Sequence, residues 1–211
     1  MGGEQPKQFI PVEGRPVLMR TLDAFHACDA SIQLILVLPH DHQAYWHELC
    51  AQYQFAVPHR IADGGATRFH SVQNGLALVD APDALVAVHD GVRPFASKEL
   101  ILRAVDCATK NGSAIPVVKA VDSYRAVEGE ESHIIDRAPL RLVQTPQIFA
   151  APTLRAAYDT DFRNEFTDDA SVVEQTTPCR VTLCQGERSN IKITTPEDMV
   201  IARAIAESLK E

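Results

Sequence analysis

The sequence predicts an α/β fold: a sheet of mostly parallel strands covered by helices. Two observations carry this. Short apolar, β-rich runs alternate repeatedly with longer stretches of helical spacing, and residues 32–38 form a nearly continuous apolar run that suits a strand buried on both faces. The length of 211 residues, with 45% hydrophobic and 23% charged, suits one globular domain over residues 1–211 with a core that needs no staples.

The chain opens with MGGEQPKQF, two glycines, a proline and a lone lysine without apolar periodicity. It reads as a loop leading into Phe9-Ile10-Pro11-Val12. Pro39 ends the strand at 32–38. Residues 41–55 follow as a helix with Tyr45, Trp46, Leu49 and Tyr53 on its apolar stripe, and 67–79 as another with Phe69, Val72, Leu76 and Val79. Residues 85–89 return to a strand. Ser97 caps the next helix, whose Leu100, Ile101, Ala104, Val105 and Ala108 face a core. Residues 113–118 form a strand in which Pro116 marks an end or an irregularity.

The rhythm breaks over about residues 120–140. Segments 124–127 and 133–137 flank the acidic turn Glu128-Gly129-Glu130-Glu131, a polar β-hairpin that is either a surface decoration or an arm reaching another subunit. A strand at 140–144, helices at 152–158 and 169–175, a strand at 181–184 and a closing helix at 196–209 complete the chain.

The formal net charge of −8 argues against nucleic acid or an anionic membrane as the main partner. No stretch approaches the about 18 apolar residues of a membrane helix. The first residues lack a basic-then-apolar signal, so a cytoplasmic protein is expected. Five cysteines without Cys-x-x-Cys spacing read as incidental thiols.

In parallel α/β sheets ligands lie beyond the carboxyl ends of the strands, so the segments there are the candidates for chemistry. Asp63-Gly64-Gly65-Ala66-Thr67-Arg68 sets a glycine turn beside a helix N-terminus, able to offer amides to an anion or a base edge. His89-Asp90-Gly91-Val92-Arg93-Pro94 places an acid suited to magnesium or ribose hydroxyls, and an arginine suited to phosphate, after a central strand. Phe166-Thr167-Asp168-Asp169-Ala170-Ser171 reads first as a helix cap. Lys192 is expected half-buried in a short strand before a Pro-started helix, and it, like Lys7, needs an anionic partner. Lysines, arginines, one magnesium-suited acid and a glycine turn, without a Ser-His-Asp set, fit phosphate transfer by positioning and charge stabilisation.

The segments PKQF, GRPVLMRTL, DGGATRFHSV, VHDGVRPF, VDSYR, LVQTPQIF, FTDDASVVE and NIKITTPEDM resemble, in order and spacing, the 2-C-methyl-D-erythritol 4-phosphate cytidylyltransferases over essentially the whole chain. The resemblance implies a homodimeric, Rossmann-like nucleotidyltransferase of non-mevalonate isoprenoid synthesis, with the hairpin as its dimerisation arm. In such enzymes the polyol phosphate attacks the α-phosphorus of CTP in line, pyrophosphate leaves, and magnesium bridges the triphosphate. By that resemblance Lys7 and Lys192 act on the α-phosphate. Gly64, Gly65 and Ser71 hold the cytosine, supported by Arg68, and Asp90 serves the ribose and magnesium. Arg93, Thr145 and Thr167 position the sugar phosphate, and Arg137 joins the partner subunit's site.

Family members begin with an apolar strand and a glycine-rich loop, roughly Ala-Ala-Gly-x-Gly-x-Arg-Met, whose methionine matches Met1. The resemblance therefore implies that this sequence lacks the first central strand, the phosphate-cradling glycines and a catalytic arginine. That would expose strand edges and remove backbone donors from the triphosphate. A start assigned too late is the expected cause, since the downstream motifs are intact. Ser123 and Gly91-Val92 stand where the family often has threonine and Ala-Ala. A ribitol 5-phosphate cytidylyltransferase, or a catalytically impaired nucleotide-binding and dimerisation module, are the alternatives.

Overall fold

The computed structural model describes residues 6–209; the opening glycines and Met1 of the expected loop lie outside them. A 3-10 turn at Lys7–Phe9 leads into a two-strand ribbon, β1 (Pro11–Val12) and β2 (Arg15–Pro16). Then follow α1 (Val17–Cys28), β3 (Ile35–Leu38), α2 (His40–Gln52), β4 (Arg60–Asp63) and α3 (Arg68–Leu76). β5 (Leu85–Val88), α4 (Lys98–Asn111) and β6 (Ser113–Lys119) come next, and the hairpin is β7 (Tyr124–Glu128) with β8 (Glu131–Ile135). The chain closes with β9 (Arg141–Val143), β10 (Gln147–Ala150), α5 (Ala151–Tyr158), α6 (Asp169–Thr176), β11 (Leu183–Gln185) and α7 (Pro196–Ser208).

Local chemistry sets several of these boundaries. Thr67, Ser97, Asp168 and Thr195 each accept a hydrogen bond from a first-turn amide of α3, α4, α6 and α7. For α6 and α7 the bond is returned by the third helical residue, Ser171 or Asp198. In the hairpin, Glu128 pairs with Glu131 across a two-residue loop, and Gly129 takes φ +62° at its first position, where a primed turn favours glycine.

β3 and β4 pair in parallel, and the larger sheet runs β11-β6-β10-β5 with β9 also on β6. β11 lies parallel to β6, but β10 is antiparallel to both β6 and β5, and β9 is antiparallel to β6. The sheet is thus mixed rather than mostly parallel. The physical reason is the hairpin: it turns the chain around after β6, so β9 and β10 return alongside it with no crossover helix between. β10 itself was hidden in the sequence because only four residues, QIFA, form it. Pro116 lies inside β6 at the junction between these two neighbours, where its carbonyl accepts from the Gln144 amide. Leu36 and Leu38 of β3 are buried while Ile35 and Val37 are partly exposed, so this strand is not covered equally on both faces.

The strand period of two divides the core. Phe149 points into a cluster with Phe69, Ile115, Leu154, Tyr158 and Val173, whereas neighbouring Ile148 packs on the other face with Ala104, Ala108 and Ala114. The sheet is therefore covered by α3, α5 and α6 on one side and α4 on the other. A separate cluster forms around Trp46, which stacks on Phe9 at 6.2 Å and donates its indole N–H to His59 Nε2 at 2.9 Å. Among the described residues no helix is long and apolar enough to cross a membrane.

Phe149 is fully buried. Truncating it to alanine removes the ring that joins β10 to α5 and α6, and should lower unfolding stability by about 3–5 kcal/mol. Urea unfolding of Phe149→Ala beside the parent measures this.

Candidate active site

β5 ends at Val88, so His89 and Asp90 emerge at its carboxyl end. β10 runs the opposite way with Gln147 opposite Val88, which brings Thr145 beside the same two residues. The segment before α7 then adds Asn190 and Lys192. Residues 191–194 form no strand, contrary to expectation. One amide bond to the β5 turn, Ile193 N–H to the Val92 carbonyl at 2.9 Å, and the fully buried Ile193 side chain hold the segment before α7 starts.

Asp90 is the centre of this cluster. Its Oδ2 lies 3.0 Å from Arg93 Nε and 3.1 Å from Lys192 Nζ, and the carboxylate side chain is only 14% exposed. Burial resists its charge, but Lys192 and the hydrogen bond from Arg93 hold its pKa below the ordinary carboxyl range. Arg93 is anchored in turn by Nη1 donating to the Asn190 carbonyl at 2.8 Å, and the Asn190 side chain donates to the Thr145 carbonyl at 2.8 Å.

His89 sets the backbone of the same turn. Burial drives its pKa down to about 4, so the ring is neutral at physiological pH. Nε2 lies 3.0 Å from the Arg93 carbonyl, which can only accept, so Nε2 carries the proton. Nδ1 is then an acceptor and receives the Thr145 hydroxyl proton at 3.0 Å, while that hydroxyl accepts the Asp90 amide at 3.0 Å. The Thr145 proton is committed to His89 in this arrangement. Thr145 therefore fixes the Asp90 turn.

The glycine turn sits beside α3. A Cβ on Gly65 would lie 2.3 Å from His70 Cβ and 2.7 Å from the His70 carbonyl carbon, so only glycine permits this approach. The Gly65 amide donates to Ser71 Oγ at 3.0 Å, and Ser71 donates to the Thr67 carbonyl at 3.0 Å, so the hydroxyl braces the loop from within. Gly64 donates to the Leu38 carbonyl at 2.7 Å, tying the turn to β3.

Arg68, in the first turn of α3, reaches across to α6. Its Nη1 and Nη2 fork onto Asp169 Oδ1 and Oδ2 at 3.1 and 2.5 Å, and Tyr158 Oη donates to Asp169 Oδ1 at 2.6 Å. The Asp169 side chain is fully buried. Burial opposes the Arg68 charge, yet Asp169 outweighs it and raises the guanidinium pKa; Asp90 adds a smaller push in the same direction. For Tyr158, burial and the Asp169 charge raise the phenol. The pair of acids thus divides its labour: Asp168 caps α6, as the sequence suggested, whereas Asp169 turns inward. Thr167 is held just outside the cap, its amide donating to Ser171 Oγ at 2.9 Å.

Of the residues singled out in the sequence, Asp90, Arg93, Thr145 and Lys192 meet in one network. Gly64, Gly65, Arg68 and Ser71 form a second group, linked to Thr167 through Asp169. Lys7 stands apart in its 3-10 turn, beside the Phe9 ring that docks on α2. Arg137 also stands apart: it follows β8, and its guanidinium folds back onto the Val121 carbonyl at the base of the hairpin. Sequence reasoning missed His89, Asn190 and Asp169 as members of the site. His89 carried one signal, a polar residue closing an apolar strand; the other two carried none, since their partners lie far along the chain.

The profile of the family described as IspD, 2-C-methyl-D-erythritol 4-phosphate cytidylyltransferase, matches residues 1–208. The chain is 52% identical over 205 residues to the protein of that name from Phocaeicola vulgatus, covering 97% of this chain and 93% of the relative. It superposes with a TM-score of 0.82 on the 4-diphosphocytidyl-2C-methyl-D-erythritol synthase of Anaerococcus prevotii, 33% identical, covering 95% of this chain and 93% of that one. A Thermus thermophilus structure named 2-C-methyl-D-erythritol 4-phosphate cytidylyltransferase gives 0.77 at 36% identity, covering 96% and 94%.

The buried His89 has a stability consequence with a definite sign. Its folded pKa of about 4 lies below its unfolded value near 6.5, so the unfolded chain binds the extra proton between these limits. Its contribution is complete above about pH 6.5 and is lost as pH falls toward 4, amounting to on the order of 3 kcal/mol. Urea unfolding at stepped pH should show this decline, and Thr145→Val should cost about 1–3 kcal/mol at neutral pH where Thr145→Ser costs little.

Proposed function

The chain belongs to the 2-C-methyl-D-erythritol 4-phosphate cytidylyltransferase family, and from that premise we infer that it joins CTP to 2-C-methyl-D-erythritol 4-phosphate. The products are 4-diphosphocytidyl-2-C-methyl-D-erythritol and pyrophosphate, a step of non-mevalonate isoprenoid biosynthesis. One observation carries the chemistry: an arginine and a lysine converge on a single carboxylate at a strand's carboxyl end, beside a glycine turn and two helix N-termini. Cations and backbone donors arranged in this way suit the charge of a phosphoryl-type transition state.

The polyol phosphate is already an anionic nucleophile, so the reaction needs no general base. Its oxygen bonds to the α-phosphorus of CTP as the bond to the β-phosphate bridging oxygen breaks and pyrophosphate departs with that electron pair. Lys192, 43% exposed and paired with Asp90, would turn its ammonium toward the α-phosphate, and Lys7 would approach from the Phe9 turn. Gly64, Gly65 and Ser71 would present the turn to the cytosine with Arg68 behind them, and Asp90 would take the ribose hydroxyls. Arg93 Nη2, without a hydrogen bond to any described residue, and Thr167 would receive the polyol phosphate, with Thr145 fixing the turn beneath.

Magnesium fits this site in one restricted way. No group of three or more acidic, histidine or cysteine side chains gathers among the described residues, so the protein would offer the Asp90 carboxylate alone and the nucleotide phosphates the remainder, as magnesium commonly accepts. When bound, the ion would neutralise the triphosphate and ease departure of pyrophosphate. The arm supports a homodimer: Val127 and Ile134 lie on one face of the β7–β8 hairpin at 70% and 64% exposure, an apolar pair suited to a second copy, with Arg137 then available to the partner's site. The named relatives favour methylerythritol phosphate over ribitol phosphate as the acceptor.

Pyrophosphate release from CTP, methylerythritol phosphate and magnesium tests the assignment. Release is expected, and Lys192→Ala should slow turnover by about 10²–10³-fold with CTP affinity changed far less. Faster release with ribitol 5-phosphate would overturn the substrate, and CTP binding without release would leave only a nucleotide-binding module.

A further inference from the structure

We propose that Asp169 is a positioning residue that couples the two substrate subsites, by holding the cytosine-side loop and the polyol-phosphate loop to one buried carboxylate. The proposal rests on the functional reading above for what each loop binds. Its geometry is independent of that reading.

Asp169 is the first residue of α6, two positions after Thr167, and the Arg68 that it grips is the first residue of α3, three positions after Gly65. One side chain thus ties together two helix N-termini, α3 through Arg68 and α6 through its own first residue. The fork fixes the guanidinium in plane and direction, as a single contact would not. A fully buried carboxylate has no water to fall back on, so Asp169 cannot release Arg68 without leaving its own charge unpaired.

A second layer stiffens the tie. Phe69, next to Arg68, stacks on Tyr158 at 4.7 Å and on Phe166 at 5.5 Å, and Tyr158 bonds Asp169 through its hydroxyl. From the far side Gln147, on β10, accepts the Ala170 amide and donates to Asp168, both at 2.8 Å, so α6 cannot pivot freely about its cap. Displacing Arg68 therefore disturbs Thr167, and displacing α6 disturbs Gly65 and Ser71. The helix cap itself is supplied by Asp168, which leaves the Asp169 carboxylate to Arg68 and Tyr158.

The test is equilibrium binding, measured by calorimetry on the full chain for CTP and separately for 2-C-methyl-D-erythritol 4-phosphate. Asp169→Asn keeps the shape and the Tyr158 bond but removes the charge that holds the fork, and should weaken both Kd values by about ten-fold. Arg68→Lys, which cannot make the planar fork, should weaken the polyol phosphate as well as CTP, and the double variant should be little worse than either single one. Tyr158→Phe retains the ring stack and should move both constants in the same direction by about two- to three-fold, which serves if Asp169→Asn folds poorly. A fall in melting temperature with both Kd values unchanged, or a shift in the CTP constant alone, overturns the coupling. Parent protein that binds both ligands yet releases no pyrophosphate overturns the functional reading while leaving the coupling measurable.

Discussion

A carboxylate taken out of water at the end of a strand stays ionised only if cations stand within a few ångströms of it, and Asp90 imposes that demand on the rest of the molecule. Arg93 and Lys192 meet it from two separate segments, and each segment must then be fixed well enough to keep its cation there. Asn190 clamps Arg93 to the Thr145 backbone, while His89 and Thr145 orient the turn that carries Asp90. The same arrangement leaves one carboxylate flanked by a clamped arginine and a half-exposed lysine. A polyanion can enter such a place by exchanging one negative partner for another, so the electrostatic cost of binding is low.

Backbone geometry does the remaining work around this centre. The β5 turn and the cap of α6 are brought together because β10 enters the sheet antiparallel between β5 and β6, with Gln147 opposite Val88 and bonded to Asp168 and Ala170. Reversal of one strand places Thr145 opposite His89, and it also sends the following helices, α5 and α6, to the face where α3 packs. The hairpin that causes the reversal lies outside the sheet. Its effect on the site is topological, and Arg137 rests on the Val121 carbonyl at its base.

Several elements were legible from the order of residues. The α4 helix was plain because the Ser97 cap and the apolar stripe agree locally, and the hairpin because Glu128-Gly129-Glu130-Glu131 encodes its own turn. β10 was not legible, since four apolar residues joined directly to a helix lack a period or a punctuating turn. The segment at Lys192 misled for the opposite reason: an alternating pattern imitates a strand, but among the described residues it pairs with no strand. In the site, the glycine turn, Asp90, Arg93 and Lys192 stood out as costly residue types at strand ends. His89 and Asp169 did not, because neither is costly until its burial is known.

The sequence by itself determined most of the helices, the hairpin and the kind of chemistry, because propensity, capping and charge act over a few neighbouring residues. It also determined the family, through motifs whose order and spacing survive without any structure. Only the tertiary structure decided which charges meet. The contacts between Arg68 and Asp169, Arg93 and Asn190, and Lys192 and Asp90 span about a hundred residues each, and such separations become angstrom distances only when the sheet's strand order is set. Burial follows from the same packing, and with it the neutral His89 and the charged Asp90.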